Sequence, residues 1–170
     1  VVSGAAVGTA DEFNLHIKNT SINTTDSVTI ADVETINIST ADGAATDSAA
    51  VIHTATLVGT SATTVTVAGN NGLTLTNTGN VKISSFDASG VVADSAIDTV
   101  TNLAVSFTSD NITTAVTITG GAGDDTLVAD SASTFANTIS GGAGGDTITG
   151  GAGNDILNGG AGADTITGNG

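Results

Sequence analysis

The chain has 170 residues, of which 17 are Asp or Glu and only two, Lys18 and Lys82, are basic, so its formal net charge is −15. This charge excludes a nucleic-acid or phosphate-binding surface, which needs clustered Lys and Arg. The chain has no Cys, which excludes disulfides, thiolate metal sites and cysteine nucleophiles. No apolar run approaches the ~20 residues that cross a bilayer, so membrane insertion is not expected.

The composition predicts β-structure with a thin core. High net charge with few aromatic residues is typical of disorder, but 39% of this chain is apolar. Its Val, Ile and Thr residues favour the half-buried surface of a sheet. The length fits one domain or part of a larger protein. Because the chain starts at Val1 and ends in Gly168-Asn169-Gly170, we expect a segment of a longer protein.

Residues 1–119 are predicted to form short strands, because apolar residues alternate there between turns of Gly, Asn, Asp and Ser. The best helix candidate, 48–58, is rich in β-branched residues, which favour a strand. Val65, Leu73 and Val81 follow one another at intervals of eight residues, an even spacing that indicates the stacked coils of a β-solenoid. The strands are expected at 13–17, 33–38, 65–67, 73–75, 81–83, 105–107 and 116–118.

Residues 120–170 form a second part, which contains 15 of the 23 Gly. Residues 132–140 have Asn137 in place of an Asp, so we interpret them as a degenerate repeat after an insertion at 129–131. A last, truncated repeat begins at residue 168. The full repeats are nonapeptides of the pattern G-G-x-G-x-D-x-U-x, with U a large aliphatic residue, and they begin at Gly120, Gly141, Gly150 and Gly159.

Stacking explains this pattern, because the single aliphatic side chain at the eighth place of a nonapeptide can be buried only against neighbouring units. The side chains expected to share one narrow core are Leu127, Ile139, Ile148, Leu157 or Ile156, and Ile166. If two nonapeptides make one coil, units 18 residues apart lie on the same side. The sixth-place residues then form two rows, with Asp125, Asp146 and Asp164 in one and Asn137 and Asp155 in the other.

The two rows predict a calcium-binding structure. Carboxylates stacked one strand spacing apart, ~4.8 Å, would repel one another without a counter-ion. The glycines allow turns whose backbone carbonyls point inward, and carboxylates with carbonyls form the all-oxygen shell of six to eight ligands that suits several Ca²⁺ ions. Mg²⁺ holds its waters and needs tighter geometry. Zn²⁺ is disfavoured because no thiolate is available and neither His lies near.

The four units resemble the RTX nonapeptide, which forms the calcium-binding parallel β-roll of proteins exported by bacterial type I secretion. We therefore predict an all-β chain, a right-handed parallel β-solenoid that ends in a calcium-binding β-roll. The resemblance implies an extracellular protein. It also implies that the second and fourth carbonyls and the Asp of one turn share an ion with the first and third carbonyls and the Asp of the turn one coil later.

Carried over to this chain, the resemblance implies the following ligands. One ion lies among Gly142, Gly144, Asp146, Gly159, Ala161 and Asp164. A second ion uses Gly121, Gly123, Asp125, Gly141, Ala143 and Asp146. Two further sets depart from the pattern: Asp155 with Gly150 and Ala152 faces Asn137, and Asp155 with Gly151 and Gly153 has no later Asp.

Residues 33–38, 69–79 and 84–90 resemble the C-terminal region of the surface-layer proteins of Caulobacter and its relatives, where β-solenoid segments lead into RTX repeats. The resemblance implies a structural, self-assembling protein at the cell surface. Its partners would be copies of itself in a two-dimensional lattice, with a cell-surface polysaccharide bound through other parts of the parent protein. The alternatives are a module of an RTX adhesin, which binds cells or ice, and the calcium module of a type I-secreted enzyme.

Two observations bear on these alternatives. Thr147-x-Thr149 recurs at Thr165-x-Thr167, and flat Thr rows on a β-roll can bind ice, but one coil earlier the pattern changes to Thr126-x-Val128, which predicts a short row. No catalytic or metal-binding spacing joins His16 and His53, and no Gly-rich loop here opens a strand–loop–helix unit. We therefore predict that this chain is not an enzyme and that each His is a surface or strand residue.

Overall fold

The computed structural model of the protein describes residues 11–17, 26–29, 33–41, 50–58, 61–94 and 98–170. All regular structure in these ranges is β-strand, and they contain no helix with the length and apolar character of a membrane span. The strands form two seven-stranded sheets in which every pair of neighbours is parallel. The predicted all-β parallel β-solenoid is confirmed.

The chain alternates between the two sheets, so each coil adds one strand to each of them. The first sheet contains, in spatial order, β1 (Glu12–His16), β3 (Thr35–Ser39), β5 (Thr64–Gly69), β7 (Ser85–Val91), β9 (Thr117–Thr119), β11 (Thr138–Ala143) and β13 (Ile156–Ala161). The second contains β2 (Asp26–Thr29), β4 (Ile52–Val58), β6 (Gly72–Thr78), β8 (Val105–Thr108), β10 (Thr126–Val128), β12 (Thr147–Thr149) and β14 (Thr165–Thr167).

A narrow core lies between the sheets, because successive residues of a strand point to opposite faces. Phe86 and Phe107 stack in parallel within this core, with ring centroids 4.0 Å apart. Among the repeats, the aliphatic side chains point inward as predicted, and Leu127, Ile139 and Ile148 are fully buried. At the fourth position Leu157, not Ile156, packs against the core. Ile166 is half-exposed because β14 is the edge strand of its sheet.

The two His residues both lie on strands. His16 is exposed on β1, whereas His53 points into the core from β4 and is buried. Its Nε2 atom has no hydrogen-bond partner, and burial lowers the pKa of the imidazole. A neutral imidazole in this position acts as a core residue.

One predicted strand is wrong: residues 81–83 form a turn, and β7 begins at Ser85. Gly79 has a positive φ of 69°, which starts a corner there. The buried Asn80 holds that corner, because its Nδ2 donates to the Leu57 carbonyl at 2.9 Å. The eight-residue interval is therefore not a coil: Val65 and Leu73 lie in different sheets. The region of the helix candidate contains strand β4, as its composition predicts.

The division at residue 119 is one of composition. β8 pairs with β10 and β9 with β11, so both sheets continue across it. What changes is the length of the coil. Upstream, the coil that begins at Thr74 returns to the same sheet only at Ser106, which pairs with it. In the repeats, the coil from Asp146 to Asp164 takes only 18 residues. The two-part organisation stays a prediction.

The burial of the repeat core predicts how isoleucine substitutions affect stability. Ile139→Ala should lower the free energy of unfolding by about 2–5 kcal/mol, because it leaves a cavity in a packed core. Ile156→Ala is the matched control, since Ile156 is 67% exposed, and it should change stability by only about 0.5 kcal/mol. Urea unfolding in calcium buffer measures both, and equal losses would contradict the inward assignment of Ile139.

Candidate metal centre

The structure places the sixth-place residues in two rows, one at each edge where the chain passes between the sheets. Asp125, Asp146 and Asp164 lie directly before β10, β12 and β14, and Asn137 and Asp155 directly before β11 and β13. Within a row the spacing is 18 residues between Asp146 and Asp164 but 21 between Asp125 and Asp146. The three extra residues are the insertion at 129–131, which the fold accommodates outside the paired strands.

One carboxylate oxygen of each Asp accepts a hydrogen bond from a backbone N–H of the preceding coil. The Oδ1 atom of Asp125 accepts a hydrogen bond from the Val105 N–H at 2.7 Å. The Asp125 N–H in turn donates to Asp146 Oδ1 at 2.8 Å, and the Asp146 N–H donates to Asp164 Oδ1 at 3.0 Å. The opposite row repeats this contact, with Asp155 accepting from the Asn137 N–H at 2.8 Å. These bonds continue the hydrogen bonding between coils at positions where the strands begin.

The other carboxylate oxygen is buried and lacks a protein donor in two of these residues. The Oδ2 atoms of Asp146 and Asp155 have no hydrogen-bond partner, and Asp146 as a whole is 1% exposed. Asp125 Oδ2 accepts from the Gly121 N–H at 2.7 Å. Burying an ionised oxygen without a partner is costly, so a cation or a proton has to compensate it. Residues 120–170 contain no Lys, Arg or His that could do so.

The raised pKa values of the buried carboxyls show the same cost of burying a charged carboxylate. Burial is the main cause that raises the pKa of Asp125 to about 7, and the charges of Asp146 and Asp124 act in the same direction, against hydrogen bonds from Val105 and Gly121. Burial also raises the pKa of Asp146, and the charges of Asp164 and Asp124 add to that increase. A cation bound between the coils would remove this penalty.

Backbone carbonyl oxygens face the buried carboxylates at the first place of the repeats. A Cβ added at Gly141 would lie within 2.5 Å of both Asp146 Oδ2 and the Gly159 carbonyl oxygen. A Cβ at Gly120 would likewise lie within 2.5 Å of Asp125 Oδ2 and the Gly141 carbonyl oxygen. Only glycine therefore fits at these places. The two oxygens of each pair are therefore less than about 5 Å apart, a separation that one calcium ion with ligands at 2.3–2.6 Å can bridge.

Each of these oxygen pairs falls within one of the implied ligand sets. Asp125 and the Gly141 carbonyl belong to one, and Asp146 and the Gly159 carbonyl belong to the other. A third pair was missed: a Cβ at Gly150 would meet both Asp155 Oδ2 and, at 3.0 Å, the Gly168 carbonyl oxygen. The signal for Gly168 was present in the sequence, because it occupies the first place of the truncated repeat.

The second- and fourth-place carbonyls lie against the turn of the next coil, where Gly142 and Gly144 have positive φ values of 114° and 128°. Among the implied ligands, the second-place Gly121 carbonyl already accepts from the Ala143 N–H, and the third-place Ala161 carbonyl accepts from the Gly144 N–H. A carbonyl oxygen keeps a second lone pair in such a bond. The complete ligand sets stay predictions.

At the opposite edge, Gly151 and Gly153 lie against the backbone carbonyls of Asp130, Ser133 and Phe135, and no Asp carboxylate is among these contacts. The Ala152 N–H donates to the Ser133 carbonyl, and Gly151 approaches the side-chain amide of Asn137. In the described part of the chain, no three Asp, Glu or His side chains converge on one point. The donors at each position are instead one or two carboxylates with several carbonyls. Oxygen donors without nitrogen or sulfur fit a hard cation such as Ca²⁺.

Asp146 belongs to both implied ligand sets, so it is the most informative residue to change. Asp146→Ala removes the whole carboxylate, both the Oδ1 acceptor of the Asp125 N–H and the buried Oδ2 that has no partner. The variant should therefore lose the ions on both sides of the residue and need more calcium to fold. Asp130→Ala is the control, since the Asp130 carboxylate lies in the insertion and accepts from the nearby Ala132 N–H.

Calcium stoichiometry by equilibrium dialysis and calcium titration followed by circular dichroism measure these two effects. The shared role of Asp146 would be wrong if both variants bound as many ions as the unmodified chain.

The comparison with known proteins agrees with this geometry in one part of the chain. Residues 115–133 and 131–166 match the family model of the RTX calcium-binding nonapeptide repeat, which comprises four copies. No curated protein matches the chain. Proteins with RTX repeats are typically exported by type I secretion and are extracellular, and a calcium-binding β-solenoid of this kind suggests a non-catalytic structural module. Residues 115–166 thus contain RTX nonapeptide repeats, which bind calcium ions.

Proposed function

We propose that this chain is a structural segment of a secreted, self-assembling surface-layer protein, in which Ca²⁺ completes the fold of residues 120–170. The observation that carries the calcium-dependent part is the pair of buried Oδ2 atoms without partners, on Asp146 and Asp155, in a region without basic residues. The surface-layer part is supported by the likeness of residues 33–38, 69–79 and 84–90 to such proteins.

Calcium would act as a switch between two compartments. In the calcium-poor cytoplasm the acidic repeats repel one another and stay unfolded, which suits export through a narrow channel. Outside the cell, calcium at ~10⁻³ M fills sites of the affinity found in extracellular modules. Because the ions bind the folded state only, their binding free energy becomes folding free energy.

Exposed apolar side chains support lateral association of the folded segment. Val92 and Val100 lie in the connection from the first sheet to the second, and they are 51% and 47% exposed. Ile112 and Phe135 lie in connections at the opposite edge, and they are 48% and 40% exposed. Both edges of the solenoid therefore offer apolar contacts to a neighbouring copy.

The test is calcium dependence followed through two readouts. Circular dichroism should show a gain of β-signal when Ca²⁺ replaces chelator, and electron microscopy of the calcium form should show two-dimensional lattices. Mg²⁺ at equal concentration is the control for ionic strength. A β-signal that chelator leaves unchanged would contradict calcium-driven folding. A calcium form that stays monomeric at high concentration would instead contradict the surface-layer role alone.

A second candidate, adhesion to ice, is favoured by the outer face of the second sheet. The expectation of a short Thr row is wrong, because strands that are distant in sequence extend it over six coils. By register, one row contains Thr54, Thr74, Ser106, Thr126, Thr147 and Thr165. Two residues further along each strand, a second row contains Thr56, Thr76, Thr108, Val128, Thr149 and Thr167.

These rows form a regular lattice of hydroxyl and methyl groups, with ~4.8 Å between strands and ~6.7 Å along each strand. None of the six strands contains Asp, Glu, Lys or Arg, although the chain carries a net charge of −15. An uncharged and periodic face of this kind can order water in a lattice.

An ice-recrystallisation assay tests the candidate. The calcium form should inhibit recrystallisation, and Thr126→Lys should abolish the effect by breaking the row with a long charged side chain. Thr117→Lys is the matched control, since Thr117 is an exposed residue on the opposite sheet. An unmodified chain without activity in this assay would rule out ice adhesion.

A further inference from the structure

Asn137 stands at the sixth place of the degenerate repeat and is fully buried. Its Oδ1 atom accepts a hydrogen bond from the Val116 N–H at 3.0 Å. This is the same bond that Asp125 Oδ1 makes with the Val105 N–H. The side chain therefore holds the preceding coil as the Asp residues do, and the difference between them lies in the second terminal atom.

The second terminal atom of Asn137 is a donor. Its Nδ2 donates to the Gly150 carbonyl oxygen at 2.9 Å, in a buried bond. Gly150 is the first-place residue of the next coil, as Gly141 is for Asp125 and Gly159 is for Asp146. In each case a sixth-place side chain faces the first-place carbonyl of the next coil. We call this pair of groups a rung. In the Asp rungs two oxygens face each other, whereas in the Asn137 rung an N–H group meets an oxygen.

We propose that the Asn137 side-chain amide takes the place of a calcium ion, so that this rung is closed without metal while the Asp rungs bind Ca²⁺. An amide N–H is a donor only and has no lone pair for a cation. Its partial positive charge meets the Gly150 carbonyl directly, as an ion would. The proposal rests on the calcium binding of the repeats and assigns one position in them where no ion binds.

The rest of the Asn137 rung matches the rungs that have Asp. The Ser133 carbonyl accepts from the Ala152 N–H at 2.9 Å, as the Gly121 carbonyl accepts from the Ala143 N–H at 3.0 Å. The Phe135 carbonyl lies against Gly153, as the Gly123 carbonyl lies against Gly144. The backbone oxygens are thus already arranged as in the Asp rungs. The sixth-place side chains differ in one atom, nitrogen instead of oxygen, and the degenerate repeat also has Ala132 at the first place, where the full repeats have Gly.

Another buried amide joins two coils upstream of the repeats. Asn71 lies directly before β6 and is 1% exposed. Its Oδ1 atom accepts from the Val51 N–H at 2.8 Å, and its Nδ2 donates to the Thr40 carbonyl at 2.6 Å. The solenoid thus joins coils through a buried amide where the Asp-containing repeat is lacking, although both partners of Asn71 precede it in the chain, whereas Asn137 Nδ2 donates to the next coil.

The test is to replace the side-chain amide nitrogen of residue 137 with a carboxylate oxygen. Asn137→Asp should bind one more Ca²⁺ per chain than the unmodified protein, measured by equilibrium dialysis and by native mass spectrometry. In chelator the variant should unfold at lower urea concentration, because a carboxylate would face the Gly150 carbonyl. In calcium this loss should be recovered. Asn154→Asp is the control: it adds the same charge at an exposed fifth place and should leave the number of ions unchanged.

The outcomes separate this proposal from the proposed function. An unmodified chain that binds no calcium would contradict the proposed function itself. An unmodified chain that binds calcium, with an Asn137→Asp variant that folds but binds no additional ion, would overturn the proposal about Asn137.

A second variant covers the case in which Asn137→Asp fails to fold. Asn137→Ala removes the amide but adds no charge. It should keep the number of bound ions and lose similar stability in calcium and in chelator. A loss of one ion would show that Asn137 is itself a ligand and would overturn the proposal.

Discussion

The stacked carboxylates at one edge of the solenoid are the constraint on which the fold of the repeats depends. Each Asp gives one oxygen to the backbone of the preceding coil, as Asp146 does to the Asp125 N–H. This contact ties the coils together, but it also draws the second oxygen away from water. The same side chain thus aligns two coils and creates the unpaired charge that a cation must neutralise. In an Asp the two effects occur together, whereas Asn137 keeps the first through its Oδ1 atom and has no charge.

The proposed difference between Asn and Asp rungs gives the solenoid two modes of cohesion. Coils joined by amides, such as that of Asn71, depend on hydrogen bonds that form in any buffer. Coils joined by carboxylates depend on the calcium concentration. Because each coil of a solenoid contacts only its neighbours, a folded amide-joined coil offers a template on which the ion-dependent coils can add. On this view the upstream strands reduce the cost of nucleating the repeats.

The sequence predicted the repeat region well for a physical reason. A nonapeptide with one aliphatic and one acidic position leaves few registers, and the 18-residue coil then places Asp146 beside Asp164. Upstream, coil length varies with the turns, so the sequence does not show which strands are neighbours. The pairing of Thr74 with Ser106 exemplifies this, and it concealed the long Thr rows.

The local turn explains why the strand predicted at residues 81–83 is wrong. Alternation at Val81 and Ile83 favoured a strand, but the Gly79 conformation and the Asn80 side chain fix a corner there. Ile83 is buried even so, so the hydrophobic pattern correctly indicated burial and wrongly indicated conformation. For the metal ligands, the sequence could indicate which residues share a turn. It could not indicate which carbonyls already accept hydrogen bonds, because that depends on how one coil sits on the next.

The hydrogen bonds along the Asp row all run in one direction: a backbone N–H of an earlier coil donates to a side chain of the later one. The row therefore has a polarity, and its two ends are chemically different. A coil added after the last Asp would have to bring its own acidic or amide side chain, whereas the first Asp binds to an ordinary strand residue, Val105. The row can therefore gain further coils only after Asp164, because β6 already lies on the other side of β8.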